Sequence, residues 1–497
     1  MSRRVLSQLI GAFIVAAMVA MAPGLASNNL LPRCLALHGL SVVCLFAGWR
    51  SGGRVSLPWL LLLADLLALH LTSPWRVASV SGFLAACALV GVVVGLASAR
   101  VGARRVLMLP VLAVFAGAAF GLAEQWLPIS WGDAARPAGL FASRVTAAAV
   151  MVAALPLNWL LLRRRHAVLF VGAVAIEGTF LVSTRTRAAW VAAMVVAAAM
   201  LVLLPRIRRP LLVGLALAAA LAMATPGPLL RWASPTPYAD SASDIGALRV
   251  GDRLAVWREA LALFVGHPWG RGAGAFEASF AASASGLPSS LEHVRIEAPH
   301  NELLRLAYEL GVPGLVLLLI AVWPRERRVG STRRILLLSM LGLAVSSLTA
   351  KTFLEPPTAA LAAVLLGLAT RRSSSSTRSG RWLVAGIGAA VLVFAVVLDA
   401  PAWAASRALG SAKRLAAQGD VRSALDGAMP SLAANNDLGA WLWAIDLMSA
   451  AGDRKRCHQT CAEALVVYPG HPALALRSSR CATAVELNRA QSNDAGN

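Results

Sequence analysis

A histidine at the mouth of an apolar helix can move a proton beside a membrane surface. The chain carries one in Pro299-His300-Asn301-Glu302, which runs directly into Leu303-Leu304-Arg305-Leu306-Ala307-Tyr308-Glu309-Leu310-Gly311-Val312-Pro313-Gly314. An imidazole with an ordinary pKa of about 6.5 accepts a proton near neutral pH, so His300 is a candidate general base. Asn301 is a good helix N-cap, which sets His300 just ahead of the helix at its aqueous edge. Glu302, Arg305 and Glu309 fall on one face of that helix, at i, i+3 and i+7, and read most simply as a charge ladder bracing it. Two further groups have the chemistry to hold an anion near such a base. Arg185 and Arg187 lie in Ser183-Thr184-Arg185-Thr186-Arg187-Ala188-Ala189-Trp190, a tight connection between two apolar runs. Guanidinium groups at a membrane edge must find anions or snorkel to water, and they grip phosphate oxygens in bidentate fashion.

The elements that position these residues follow from composition. Of 497 residues 58% are hydrophobic and 14% charged, which is far more apolar than a soluble domain and predicts an all-α polytopic membrane protein. The net charge of +22 raises nucleic acid as a partner, but the basic residues sit in small clusters between apolar runs, with no continuous stripe or long tail. A span needs roughly 20 apolar residues. Thirteen candidates lie near 5–23, 34–49, 57–73, 78–98, 106–126, 145–162, 167–182, 188–204, 210–226, 303–323, 333–350, 356–370 and 382–400. The first follows Arg3 and Arg4 and is read as a retained anchor, not a cleaved signal.

Alternate connections are rich in arginine, for example Arg104 and Arg105, Arg163 to Arg165, and Arg206, Arg208 and Arg209. The excess of basic residues in short cytoplasmic loops puts the N-terminus in the cytoplasm. Residues 1–226 then form an N-terminal bundle, 227–302 an external loop, 303–400 the remaining spans and 401–497 an external tail. Arginines on the outer side, which the rule disfavours, include Arg136, Arg253, Arg258 and Arg295; the last two read as solvated loop charges.

Loop 227–302 opens with Pro228, Pro235 and Pro237 and continues into an amphipathic helix near 253–264. Leu254, Trp257, Leu261 and Phe264 recur there at helical spacing, with Trp257 suited to the membrane interface. The following Gly266-His267-Pro268-Trp269-Gly270-Arg271-Gly272-Ala273-Gly274 lacks the ending of a nucleotide-binding loop and reads as a structural turn. In the tail, Ala417-Gln418-Gly419-Asp420 and Ala450-Ala451-Gly452-Asp453 are 33 positions apart, close to the period of helix-pair repeats. The expectation is a small helical-hairpin domain resembling tetratricopeptide repeats, with residues 403–488 available to a protein partner. Cys457, Cys461 and Cys481 in that tail leave room for one disulfide and one free thiol, with connectivity open. They lack a fourth ligand, so no metal is expected.

Four blocks in order carry a family resemblance. His300-Asn301-Glu302-Leu303-Leu304 through Glu309-Leu310-Gly311 and Gly314 resembles the His-Asn signature of the O-antigen ligase and polymerase superfamily. Thr186-Arg187-Ala188-Ala189-Trp190 resembles its Ser-Arg-Gly-Ala-Trp motif. Arg253 with Trp257, then His267-Pro268 and Gly270 to Phe276, resembles its Arg-x-x-x-Trp and Pro-x-x-Gly-x-Gly segment. Arg136-Pro137-Ala138-Gly139-Leu140-Phe141 loosely resembles Arg-x-x-Gly-Thr-Phe, although Ser143-Arg144 stands where an asparagine is expected.

The resemblance implies an enzyme of the bacterial inner membrane that needs no cofactor. Such proteins pass a glycan from undecaprenyl diphosphate to an acceptor hydroxyl at the periplasmic face. The acceptor is lipid A–core in ligases, another lipid-linked glycan in polymerases, or a protein in O-oligosaccharyltransferases. It would make His300 the base, put Arg187 and Arg253, helped by Arg185, on the diphosphate, and leave Asn301, Glu302, Trp257 and Arg136 in support. The competing classes are a proton-coupled transporter, suggested by the intramembrane acids Asp65 and Glu177, and a scaffold acting through its tail.

Overall fold

The computed structural model describes residues 2–20, 30–52, 55–124, 138–141, 143–162, 166–224, 250–287, 296–323, 330–371, 400–435 and 437–482, with a few isolated positions between 386 and 397. The regular structure among the described residues is all helical, without strands. Nine helices make the first bundle: α1 (Arg3–Val19), α2 (Leu30–Arg50), α3 (Leu57–Thr72), α4 (Arg76–Ser98), α5 (Ala103–Ala123), α6 (Arg144–Leu162), α7 (Ala167–Ser183), α8 (Arg187–Leu203) and α9 (Arg208–Ala224). The loop contributes α10 (Val250–Gly266) and α11 (Phe276–Ser283). Then come α12 (Glu302–Val322), α13 (Ser331–Ser347) and α14 (Pro356–Ala369), and in the tail α15 (Ala400–Ala417), α16 (Val421–Asn435), α17 (Leu438–Ala450) and α18 (Arg454–Val467). Twelve of the thirteen candidate spans coincide with helices; span 382–400 lies outside the described residues, apart from isolated positions.

Among the described residues, five helical stretches are long and apolar enough to cross a membrane: Leu31–Arg50, Arg76–Ser98, Ala103–Ala123, Pro205–Ala224 and Glu302–Val322. Shorter apolar helices, among them Leu57–Thr72, Ala167–Ser183 and Pro356–Ala369, accompany them. The chain is a multi-pass helical membrane protein. One core joins α1, α2, α4, α5, part of α6 and α14; a second joins α6 to α9 with α13. Leucine, valine and alanine fill both, and glycines let backbones meet where α2 crosses α4: a Cβ on Gly48 would lie 2.9 Å from the Gly95 carbonyl oxygen.

The tenth span is not a continuous helix, as its apolar run suggested. Gly311 takes φ 65° and breaks α12 there. Pro313 explains the break. It has no N–H to give Glu309, and its ring crowds that carbonyl. The freed Glu309 oxygen accepts the backbone N–H groups of Arg271 (3.2 Å) and Gly272 (3.0 Å), and the Val312 N–H turns to the Pro268 carbonyl at 2.7 Å. The glycine-rich turn is thus a clamp on the broken helix. Gly270 and Gly311 sit back to back; a Cβ on Gly270 would fall 2.7 Å from the Glu309 oxygen.

The tail helices pack in succession, and their core reaches Ala278 of α11 and Trp75 and Ala78 at the start of α4. Gly419 and Gly452, at positive φ, end the first helix of each pair. Cys457 and Cys481 form a disulfide, while Cys461 is a buried free thiol beside them.

Candidate functional site

Helix α10 presents a different face from the one its leucines suggested. Val256 and Ala260 are buried against Phe276, Phe280, Ile296 and Tyr308, whereas Leu254 and Leu261 are exposed. Trp257 is half-buried on this helix. Its indole N–H donates to the Pro299 carbonyl at 2.6 Å, so the helix grips the residue just before His300. Arg253 lies one helical turn earlier and shares that face. The Arg-x-x-x-Trp spacing therefore does two jobs: the tryptophan fixes the loop and the arginine stands over it.

His300 has φ 53°, a backbone conformation uncommon for a residue with a side chain. Trp257 holds one side of it. Asn301 holds the other, its Oδ1 accepting the Leu304 N–H at 3.1 Å as the helix N-cap. The imidazole is partly exposed and makes no hydrogen bond to a described residue, leaving both ring nitrogens for substrate. Burial, followed by the positive charges of Arg253 and Lys351, pushes the His300 pKa down to about 4, against a smaller opposing pull from Glu297. His300 is thus a neutral base at any pH well above 4.

Below it the helix is locked. Arg305 donates from Nε to Glu302 and from Nη1 to Glu309, each at 2.7 Å, and all three are buried. The other Glu302 oxygen takes the Phe353 N–H at 3.1 Å, and Tyr308 pairs with Ser279 at 2.9 Å. Glu302 therefore supports the site by tying α12 to the connection between α13 and α14.

That connection brings in residues that sequence reasoning missed. Lys351 lies 2.8 Å from Glu297 and 3.8 Å from Glu355, close enough to act on His300. Burial pushes the Glu355 carboxyl up in pKa, and Lys351 and then Arg33 oppose it. Arg33 itself is buried, with its Nε on the Ala20 carbonyl (3.2 Å) and Nη2 on Leu140 (3.4 Å). The one available signal was rarity: Lys351 is one of three lysines in the chain and sits in a short connection between spans.

Arg185 and Arg187 occupy the α7–α8 connection, Arg185 with φ 55° and Arg187 exposed at the start of α8. Helices α7 and α8 pack on α6, α9 and α13, while α12 packs on α3, α10 and α11. The structure therefore gathers His300, Arg253, Trp257, Asn301 and Glu302 into one constellation, while Arg185 and Arg187 lie on the α7–α8 connection, whose helices have other main neighbours. Arg136 lies outside the described residues. Of the intramembrane acids, Glu177 is buried and accepts the Asn158 amide at 2.8 Å, and Asp65 faces the position of Gly314 on α12. They lie on helices with different neighbours.

A family model described as O-antigen ligase matches residues 172–320, from α7 through the loop and α12. Residues 172–320 form an O-antigen ligase domain. The match encloses Arg185, Arg187, Arg253, Trp257 and His300 in a single segment. At the level of the family, the match implies a membrane glycan transferase of the ligase or polymerase type. A search among curated proteins finds no match.

Proposed function

We propose that this O-antigen ligase domain transfers a glycan from undecaprenyl diphosphate to an acceptor hydroxyl at the periplasmic face of the inner membrane. The observation that carries the reading is His300 itself. It is an imidazole whose ring nitrogens bond to no described residue, set in a strained loop by Trp257 and Asn301 and kept neutral by burial and by the cations beside it. Neutral His300 takes the proton from the acceptor hydroxyl as its oxygen attacks the anomeric carbon of the donor sugar. The bond from that carbon to the diphosphate oxygen breaks, the anomeric centre inverts, and the diphosphate leaves with its charge. Arg253, already next to His300, stabilises that growing charge. Arg187, with its side chain exposed at the start of α8, meets the diphosphate from the α7–α8 side, with Arg185 in the same connection.

The residues offered need no metal for this step, since the leaving group is matched by guanidinium groups. The N-terminus is cytoplasmic and the tail periplasmic in this reading. The acceptor is a lipid-linked core sugar in the ligase reading; a polymerase would use a second lipid-linked glycan and a protein glycosyltransferase a polypeptide. The test is release of undecaprenyl diphosphate from a synthetic lipid-linked oligosaccharide by purified protein in detergent with EDTA, offering the three acceptors in turn. Release that requires one acceptor and is lost in His300→Ala supports the mechanism. Normal transfer by a folded His300→Ala protein sinks it.

A further inference from the structure

A second basic site lies at the far end of α10. Arg253 lies in the first turn of that helix and His267 follows its last residue, so the two are roughly 20 Å apart at about 1.5 Å per residue. His267 meets Arg271, whose Nη2 donates to His267 Nδ1 at 3.0 Å. A guanidinium cannot accept, so Nδ1 must, and the ring proton of neutral His267 sits on Nε2. Arg271 as a residue is 9% exposed; its guanidinium donates to Ser283 at 2.9 Å and lies over the rings of Trp75 and Tyr308 at 5.6 and 5.3 Å. No carboxylate among the described residues pairs with it, and its Nε and the Trp75 indole N–H are buried without an acceptor. The Glu309 carboxylate is taken by Arg305 and by the Gly274 and Phe276 amides.

The next residue, Arg76, is exposed and makes no side-chain contact with a described residue. The unsatisfied Arg271 Nε and Trp75 indole N–H are donors and Arg76 is a cation, which is the chemistry of an anion site; His70, whose Nδ1 also lacks a partner among the described residues, lies within electrostatic reach of Arg76. Its surroundings identify the anion's carrier. Trp269 is 73% exposed beside it. Leu67 and Leu71 of α3 and Val312 and Val316 of α12 are exposed on two helices that pack together, and the Val312 N–H binds the Pro268 carbonyl within the same turn. Cations and an exposed indole thus rim an apolar surface, the arrangement that suits a lipid with a charged head and acyl chains.

We propose that Arg76, His267 and Arg271 form a binding site for the phosphate of a membrane lipid, whose acyl chains lie along α3 and the lower half of α12. This site is separate from His300 and does not depend on the transfer reaction. The test is native mass spectrometry of the delipidated full chain in detergent, titrated with phosphatidic acid, phosphatidylcholine or inorganic phosphate. One phosphatidic acid should be retained in preference to phosphatidylcholine. Arg76→Ala should weaken it roughly tenfold without altering thermal unfolding, and His267→Ala should weaken it by a similar factor with a modest loss of stability, because it also strands the Arg271 Nη2 donor. Arg76→Lys should keep most of the binding, and His300→Ala should bind as the parent does. Equal retention of phosphatidylcholine, or undiminished phosphatidic acid binding in both alanine variants, overturns the site. Displacement of the lipid by millimolar inorganic phosphate overturns the lipid assignment.

Discussion

The acid limb of the transfer reaction should lie well below the usual histidine range. His300 titrates near 4 in the substrate-free protein, against about 6.5 for an ordinary imidazole. Protonating it in place costs on the order of 3 kcal/mol more than in water, the sum of lost hydration and repulsion by Arg253 and Lys351. The limb of kcat/KM reports the free enzyme, so it should fall near pH 4 and leave the enzyme fully basic at neutral pH. The limb of kcat reports the substrate complex. A bound diphosphate neutralises the nearby cations, so that limb should move to higher pH. Lys351→Gln removes one of the repelling charges and should raise the kcat/KM limb, while His300→Gln should remove the limb with the activity. The assay is initial-rate release of undecaprenyl diphosphate between pH 3.5 and 8 (about half a unit apart) at low and saturating donor. A kcat/KM limb at or above about 6.5 in the parent, or no change in Lys351→Gln, would refute the electrostatic account. A stability signature accompanies it. Between about 6.5 and about 4 the unfolded chain binds a proton that the folded protein refuses, so stability falls on acidification across that window, and His300→Gln should flatten the slope.

Other expectations follow from single contacts. Trp257→Phe strands the buried Pro299 carbonyl, at a cost of about 1–3 kcal/mol, and should lower kcat roughly tenfold or more while leaving the donor KM nearly unchanged; steady-state kinetics check this. Gly311→Ala forces a side chain into φ 65° against the backbone of Trp269 and should destabilise by more than about 2 kcal/mol in thermal unfolding, whereas Gly172→Ala, with open space around it, should not. Glu177→Gln keeps a partner for Asn158 and should leave glycan transfer intact, and abolished transfer in a folded variant would favour proton-coupled chemistry at that acid. Arg187→Ala should raise the donor KM, and Arg258→Ala, read as a solvated charge, should not; equal effects would remove Arg187 from the diphosphate.

Much of this protein was legible in one dimension. Apolar runs longer than a soluble core helix needs, punctuated by arginine, place twelve of the helices because a bilayer-spanning segment must satisfy its own backbone. Asn301 before an apolar run is a local signal for a helix start, and its cap is local in space as well. Glu302, Arg305 and Glu309 are legible for the same reason: helical spacing alone brings them together.

What tertiary structure decided are contacts between residues far apart in the chain. Leu254 and Leu261 looked like a buried stripe, yet the helix turns Val256 and Ala260 inward because the neighbouring surface is set by Phe276, Phe280 and Tyr308. Trp257 finds a carbonyl 42 residues away, and Lys351 comes within range of His300 across 51 positions; no periodicity encodes either. The apolar run read as one continuous span, and only the fold shows that α12 breaks at Gly311 and that the glycine-rich turn takes up the hydrogen bonds Pro313 releases. Sequence by itself determined the apolar spans, the Asn301 cap and the choice of His300 as the candidate base. The neighbours that tune that base were decided by packing, because an electrostatic environment depends on distances that only the folded chain sets.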